Sequence, residues 1–351
     1  MEPGRESTSF PVFFMKSKFP FLLILFLPFL VLSCRNSHPI DKKEALNSLK
    51  VLNGDIIRYI NKVSERPGFK ALGFLLKQPS AHLPFRSDTS HSTGSVNGFS
   101  FNGQKGIYSW DTVSRMFLKE KDTSVILLRF PMPGAPASLC RFYLYKFETG
   151  STRKRPGFPV EIRAKLFIGN KEKLSISHQA RISESMISWM SSELKSDSSE
   201  LLFNMARKGS FADKSGKVNA SLRLFEGSKE ILRSKLDLDI DYHPPLSYSV
   251  RHISIEQKLF ATELSGTIDY GSISPTSDQY DLEFNKHTDI EVINTEDRGI
   301  IGNIVLSPAG DNGRFDYFIR FSDGSESRLT DQFNVLRKLF ERQSLKNSNS
   351  L

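Results

Sequence analysis

Residues 160–182 read VEIRAKLFIGNKEKLSISHQARI, and residues 218–240 read VNASLRLFEGSKEILRSKLDLDI. The two stretches align without a gap at an offset of 58. Eight of 23 positions are identical, including Leu166-Phe167 with Leu224-Phe225, Gly169 with Gly227, and Lys171-Glu172 with Lys229-Glu230. Self-similarity at a fixed spacing marks a repeated supersecondary unit, and two copies imply a duplication, not a long solenoid. Each copy reads as a β-hairpin, because Gly169-Asn170 and Gly227-Ser228 suit two-residue turns that need positive φ. In the first copy Ile162, Ala164, Leu166, Leu174, Ile176, Ala180 and Ile182 share one face. Glu161, Arg163, Lys165, Ser175, Ser177, Gln179 and Arg181 share the other. In the second, Leu232, Leu236, Leu238 and Ile240 alternate with Arg233, Lys235, Asp237 and Asp239. One buried face and one wet face predict antiparallel sheet.

The same alternation continues downstream. Strands are expected at Leu246–Gln257, Leu259–Tyr270, Gln279–Phe284, Asp289–Asn294 and Gly299–Leu306. Phe315–Phe321 and Ser325–Leu329 flank Ser322-Asp323-Gly324 as a third hairpin. Asp331–Gln343 predicts a closing helix with Phe333, Leu336, Leu339 and Phe340 on one side, and residues 344–351 a disordered tail. Upstream, Gly106–Trp110 and Arg115–Leu118 form a hairpin pattern. Ser124–Phe130 is an apolar strand ended by Pro131, and Arg141–Phe147 is another. Between Asp41 and Ser64 apolar residues recur at helical steps (Ala45, Leu49, Leu52, Ile56, Ile60, Val63) until Pro67-Gly68. Phe69–Leu76 predicts a second short helix. Residues 78–98 have the Ser, His, Thr, Gly and Pro composition of a flexible loop.

The amino terminus is of a different kind. Lys16 and Lys18 precede a 15-residue stretch, Phe19 to Ser33, that is apolar apart from its last residue. This is shorter than the ~20 residues a membrane-spanning helix needs. It also contains Pro20 and Pro28, and so reads as a secretory signal over residues 1–33. The stretch ends in Val31-Leu32-Ser33-Cys34, which resembles the lipobox of bacterial lipoproteins. Leu32 departs from that pattern, where a smaller or β-branched residue is commoner. The resemblance implies cleavage before Cys34 and attachment of membrane lipid, including palmitate, to that cysteine. Residues 34–40 would then be a polar tether. No acidic residue follows Cys34 directly, which implies outer-membrane placement if the cell is Gram-negative. The Gly106-x-Tyr108-x-Trp110 hairpin, the Phe130-Pro131 strand end and the C-terminal pattern are loosely similar to a set of uncharacterised β-rich bacterial lipoproteins. That likeness brings no catalytic residues with it.

Composition narrows the function classes. The chain has 351 residues and 28 Phe, enough to bury a sizeable core. Its formal charge is +9. Residues 1–33 hold Arg5, Lys16 and Lys18 against Glu2 and Glu6, so the remainder keeps +8. Such a charge favours anionic lipid or glycan surfaces. The longest basic cluster, Arg153-Lys154-Arg155, has no nucleic-acid recognition motif around it, and no nucleic-acid partner is expected. With Cys34 acylated, Cys140 has no disulfide partner and reads as a small buried hydrophobe.

Candidate chemistry is sparse. Asp237, Asp239 and Asp241 lie on one strand face and end at His243, a pattern open to a hard cation. The repeat assigns that face to water, alongside Arg233 and Lys235. His82 and His91 lack supporting ligands, and His178 falls on an apolar face. No metal site and no cofactor are expected. No nucleophile elbow, P-loop or dinucleotide fingerprint is present, so catalytic residues are not assigned. Tyr108, Trp110 and Phe117 are candidates for stacking on a ligand, or for a core cluster.

The expected fold is α+β: an N-terminal helix in residues 41–77, then a β-rich domain over residues 99–343. The latter holds a large antiparallel sheet containing the repeated hairpin, and a C-terminal helix. The expected function is a non-enzymatic envelope lipoprotein that binds a partner protein or scaffolds an assembly. The alternatives are a carrier of a hydrophobic ligand such as lipid and, less in keeping with the motifs, a carbohydrate-active hydrolase.

Overall fold

Local signals start both helices in the computed structural model. It describes residues 37–78, 99–152, 157–210, 212–243, 247–274, 279–308 and 315–332. The signal stretch, Cys34, nearly all of the 78–98 loop and most of the expected closing helix lie outside the described residues. Helix α1 spans Lys42–Ser64, and the Asp41 side chain caps it by accepting from the Glu44 amide at 3.0 Å. It buries Ala45, Leu49, Leu52 and Ile56. Helix α2, Pro67–Lys77, opens with proline at its first position, where the missing N–H costs nothing. It buries Ala71 and Leu75.

The rest is dominated by one 17-stranded sheet. Its first members are β1 (His38–Pro39), β2 (Gly106–Asp111), β3 (Met116–Lys121) and β4 (Ile126–Met132). Then come β5 (Ala135–Gly150), β6 (Phe158–Ile168), β7 (Lys171–Ser183), β8 (Met186–Ser196) and β9 (Ser199–Gly209). They are followed by β10 (Ser215–Glu226), β11 (Lys229–His243), β12 (Ser247–Leu259) and β13 (Thr262–Asp269). The last are β14 (Thr288–Asn294), β15 (Gly299–Pro308), β16 (Phe315–Arg320) and β17 (Glu326–Arg328). From β4 to β17 each strand pairs antiparallel with the next.

The sheet is mixed, which corrects the expectation of a purely antiparallel one. β1 runs parallel to β15, and β2 runs parallel to β4. With β3 on one edge of β2, the other edge takes β4 in the parallel sense. A second correction concerns Gln279–Phe284, expected as a strand. Tyr280–Lys286 is instead helix α3. As a strand it would place Tyr280, Leu282 and Phe284 on one face. The helix buries Phe284 against Tyr270 and Tyr317 and leaves Leu282 58 % exposed. Leu329–Gln332 is a short helix, α4, so the third hairpin's second strand is shorter than its pattern implied.

The duplication is structural as well as sequential. Both repeated hairpins carry a register shift at the matching step, Leu166/Phe167 and Leu224/Phe225. Both turn glycines have positive φ, 56° at Gly169 and 59° at Gly227. Their amides donate to neighbouring segments of the sheet, Gly169 to the Leu139 carbonyl of β5 at 2.9 Å and Gly227 to the Ser198 carbonyl of the β8–β9 turn at 2.6 Å. An ion pair repeats too: Lys165–Glu172 at 2.7 Å and Arg223–Glu230 at 2.6 Å.

Burial divides among three clusters. Under α1, Leu49, Leu52 and Ile56 meet Ile255, Ile290, Ile301, Ile319 and Phe321. Under α2, Ala71 and Leu75 meet Leu128, Phe130, Cys140, Phe142, Leu144, Leu166 and Leu174. Each fully buried Leu, Ile or Phe contributes about 1.5–3 kcal/mol. Between these lobes sits a small cluster of Phe203, Ala220, Leu222 and Leu232. Strand β8 buries only Ser196, so the sheet is thin at its middle. The helices reach it by close approach: a Cβ on Gly68 would lie 2.6 Å from the Lys173 carbonyl oxygen.

Candidate functional site

Alternation decides which side chains of β5 reach solvent. Cys140, Phe142 and Leu144 point inward and are fully buried. Arg141, Tyr143 and Tyr145 therefore occupy the opposite face. The register with β6 sets Arg141 opposite Phe167 and Tyr143 opposite Lys165. Arg141, Tyr143, Tyr145, Phe167 and Asn170 thus line an open depression of about 270 Å³ on the outer side of the sheet, away from α2. The rings of Tyr143 and Tyr145 stack at 5.5 Å and 8° between planes, and the Phe167 ring meets Tyr143 edge-on at 5.7 Å. Tyr145 is 41 % exposed. Partial burial, and then the neighbouring Tyr143, push its phenol above the ordinary tyrosine range, so it stays a neutral donor.

The charge on this face is unbalanced. Arg129 and Arg141 stand directly opposite each other on β4 and β5, an arrangement that disfavours two like charges. Glu120 answers Arg129 at 3.2 Å and also accepts from Ser109. Arg141 is held by neutral oxygens of the β6–β7 turn, Gly169 O at 2.6 Å and Asn170 Oδ1 at 3.0 Å. Among the described residues no ion pair engages it. The arrangement combines exposed aromatic faces, an amide and an oriented guanidinium, which together suit a ligand with a flat apolar side and an anionic group.

The residues singled out by sequence are placed elsewhere. Phe117 is buried, and Tyr108 and Trp110 pack against the cluster under α2. Trp110 meets Phe74 at 5.1 Å and Phe117 at 5.2 Å, both edge-on, and the Tyr108 hydroxyl donates to the Gln104 carbonyl at 2.9 Å. These three rings lie on the α2 side of the sheet, not with the exposed aromatics. Cys34 lies outside the described residues. Cys140 is buried, with its sulfur 3.6 Å from that of Met132, and burial pushes the thiol up to about 11. Asp239 pairs with Lys217 at 3.1 Å, Asp237 with Lys235 at 3.0 Å, and Asp241 with Arg251 at 3.5 Å. Among the described residues no group of three or more His, Cys, Asp or Glu could hold a metal ion.

His178 is half-buried, with both nitrogens engaged. Nε2 lies 3.1 Å from the Pro159 carbonyl and Nδ1 2.8 Å from the Ser192 hydroxyl. A carbonyl only accepts, so Nε2 carries the proton and Nδ1 accepts from Ser192. Burial pushes its pKa down, against the pull of the Pro159 hydrogen bond.

The sequence did carry a signal for the outer depression. Arg141-Phe142-Tyr143-Leu144-Tyr145 has aromatic residues on the phase of the strand that alternation sends to water. No family model, no curated protein and no solved structure matches the chain. The functional reading therefore rests on the residues themselves.

Proposed function

We propose that the chain is an exported envelope lipoprotein, anchored through an acylated Cys34, whose sheet displays a non-enzymatic binding surface. The observation that carries the binding role is the open aromatic and cationic depression around Arg141 and Tyr145. Its openness favours a ligand held at the surface over a hydrophobic one enclosed as in a carrier. The anchor is supported by the basic, apolar and Val31-Leu32-Ser33-Cys34 succession of the amino terminus. No helix among the described residues is long and apolar enough to cross a membrane.

The point of entry into the fold adds to this reading. The chain joins the sheet at His38, whose amide donates to Arg298 O at 3.4 Å, and Ile40 follows with a bond to Ile300 O at 3.3 Å. Covalent geometry limits four residue steps from Cys34 to His38 to about 14 Å. An acylated Cys34 would hold the α1 lobe close to the bilayer. Strand β5 lies ten inter-strand steps from β15, roughly 48 Å of contour along the sheet at ~4.8 Å per step, so the depression belongs to the α2 lobe and not to the lobe that the anchor enters. Several acyl chains are needed for stable attachment, at roughly 0.8 kcal/mol per buried CH₂.

Metabolic labelling with an alkyne fatty acid, read by intact mass, tests the proposal. The expected mass corresponds to a chain beginning at Cys34 with lipid attached, and Cys34→Ser abolishes label and membrane retention. A labelled-negative protein that retains Met1 overturns the anchor.

A further inference from the structure

We infer that the depression on the outer face of β5 and β6 is a subsite for one acidic sugar unit of a polysaccharide. This rests on the reading of the chain as a displayed binding protein and names its ligand class. The internal duplication supplies a comparison inside the molecule.

The two copies share the hairpin but not the strand in front of it. In the first copy Arg141 opposes Phe167 and Tyr143 opposes Lys165. In the second, Glu200 opposes Phe225 and Leu202 opposes Arg223. The second copy is self-satisfied: Glu200 pairs with Lys195 at 2.9 Å, and the Arg223 guanidinium lies 4.7 Å over the Phe225 ring. In the first copy the position of Glu200 is taken by a guanidinium that faces a second arginine across the strand pair. The position of Leu202 is taken by a tyrosine stacked on another. The shared hairpin accounts for the fold, whereas the arginine and tyrosines put an unneutralised cation and exposed rings at one spot.

The chemistry selects the ligand. Arg141 and Tyr143 lie one same-face step apart, about 6.6–7 Å along the strand, which matches a sugar ring carrying a carboxylate on one side. The C–H face of a pyranose stacks on the tyrosine rings, and the guanidinium pairs with the carboxylate in a planar fork. Asn170 stands at the rim for a hydroxyl. A bare phosphate would use Arg141 and leave the rings idle. A neutral sugar would use the rings and leave Arg141 uncompensated.

Calorimetric titration of the full-length protein in detergent micelles tests this, with a tetragalacturonate as probe and its methyl ester as the neutral counterpart. Saturable binding of the acid is expected, with the ester weaker by at least tenfold. Arg141→Glu, which installs the residue of the second copy, is expected to weaken binding at least tenfold. Tyr145→Ala, at an exposed position where the core is untouched, is expected to weaken it severalfold with unchanged thermal melting. Equal binding of acid and ester, no saturable binding, or indifference to Tyr145→Ala overturns the inference. So does binding of inorganic phosphate or phosphatidylglycerol vesicles at the same residues in preference to the sugar. A Cys34→Ser protein that still binds the acid would separate this subsite from the fate of the anchor.

Discussion

The Arg66 guanidinium donates to both carboxylate oxygens of Glu226, each at 2.6 Å, across 160 residues of chain. Arg66 joins α1 to α2, and Glu226 ends the first strand of the second repeated hairpin. Ser199 donates to the same carboxylate at 2.7 Å, Lys62 at 2.9 Å and Ser198 at 3.0 Å, and Tyr59 bonds Ser199 at 3.2 Å. The two side chains are 10 % and 18 % exposed. This contact ties the helix junction to the thin middle of the sheet, where apolar burial is least.

Removing Glu226 leaves Arg66 largely buried without a counterion, and removing Arg66 leaves Glu226 with only the more exposed Lys62. Glu226→Gln or Arg66→Ala is expected to destabilise the protein by about 2 kcal/mol, read from urea denaturation. Burial raises the Glu226 pKa, but hydrogen bonds from Arg66, Ser199, Lys62 and Ser198 outweigh it and hold the carboxyl well below the ordinary range. Its contribution is therefore full above the unfolded value near 4.3 and is lost as pH falls further. Wild type should lose its advantage over Glu226→Gln only below about pH 4.3. A constant difference down to pH 3 would show that the pair does not control stability there.

His178 acts in a separate pH window. Its folded pKa lies below the unfolded value of about 6.5, because burial disfavours the imidazolium. The folded state then binds fewer protons than the unfolded chain, so stability is full above that value and declines as pH falls from there toward the folded pKa. His178→Gln, which has a donor for Pro159 and an acceptor for Ser192, should flatten the change between pH 7.5 and 5. Identical pH slopes for the two proteins would contradict this.

The duplicated turns make a quantitative pair. Gly169 and Gly227 have nearly the same positive φ, and nothing lies within 4 Å of an added Cβ at either. Alanine there meets backbone strain alone, about 1–2 kcal/mol. Gly169→Ala and Gly227→Ala should therefore cost the same within about 0.5 kcal/mol. Widely different losses in chemical denaturation would mean that the two hairpins are not equivalent in stability.

How much could be read in advance follows from the range of each interaction. The repeated hairpins were legible because alternation and the Gly169 and Gly227 turns are local signals. Asp41 announced the first helix for the same reason, whereas Pro67, read as the stop of that helix, proves to be the first residue of the second. Gln279–Phe284 was misread because three apolar residues at alternating steps fit a strand. The choice of helix depends on Tyr270 and Tyr317, which arrive from other segments to cover Phe284. The parallel β2–β4 pair was hidden because it depends on which edge of β2 stays free. Of the two roles open to Tyr108, Trp110 and Phe117, the core one holds, and for Trp110 it depends on Phe74, which comes from α2.

Taken alone, the sequence determined the duplicated hairpin, the long first helix and the wet and apolar faces of the repeated strands. Each of these depends on dihedral preferences and periodicity within a few residues. Only the tertiary structure decided that Arg141, Tyr143 and Phe167 share one spot, and that Arg66 meets Glu226. Those outcomes depend on inter-strand register, including the shift between Leu166 and Phe167, and on the docking of helices onto the sheet. Register and docking are set by the packing of whole faces against one another, which no single stretch of chain encodes.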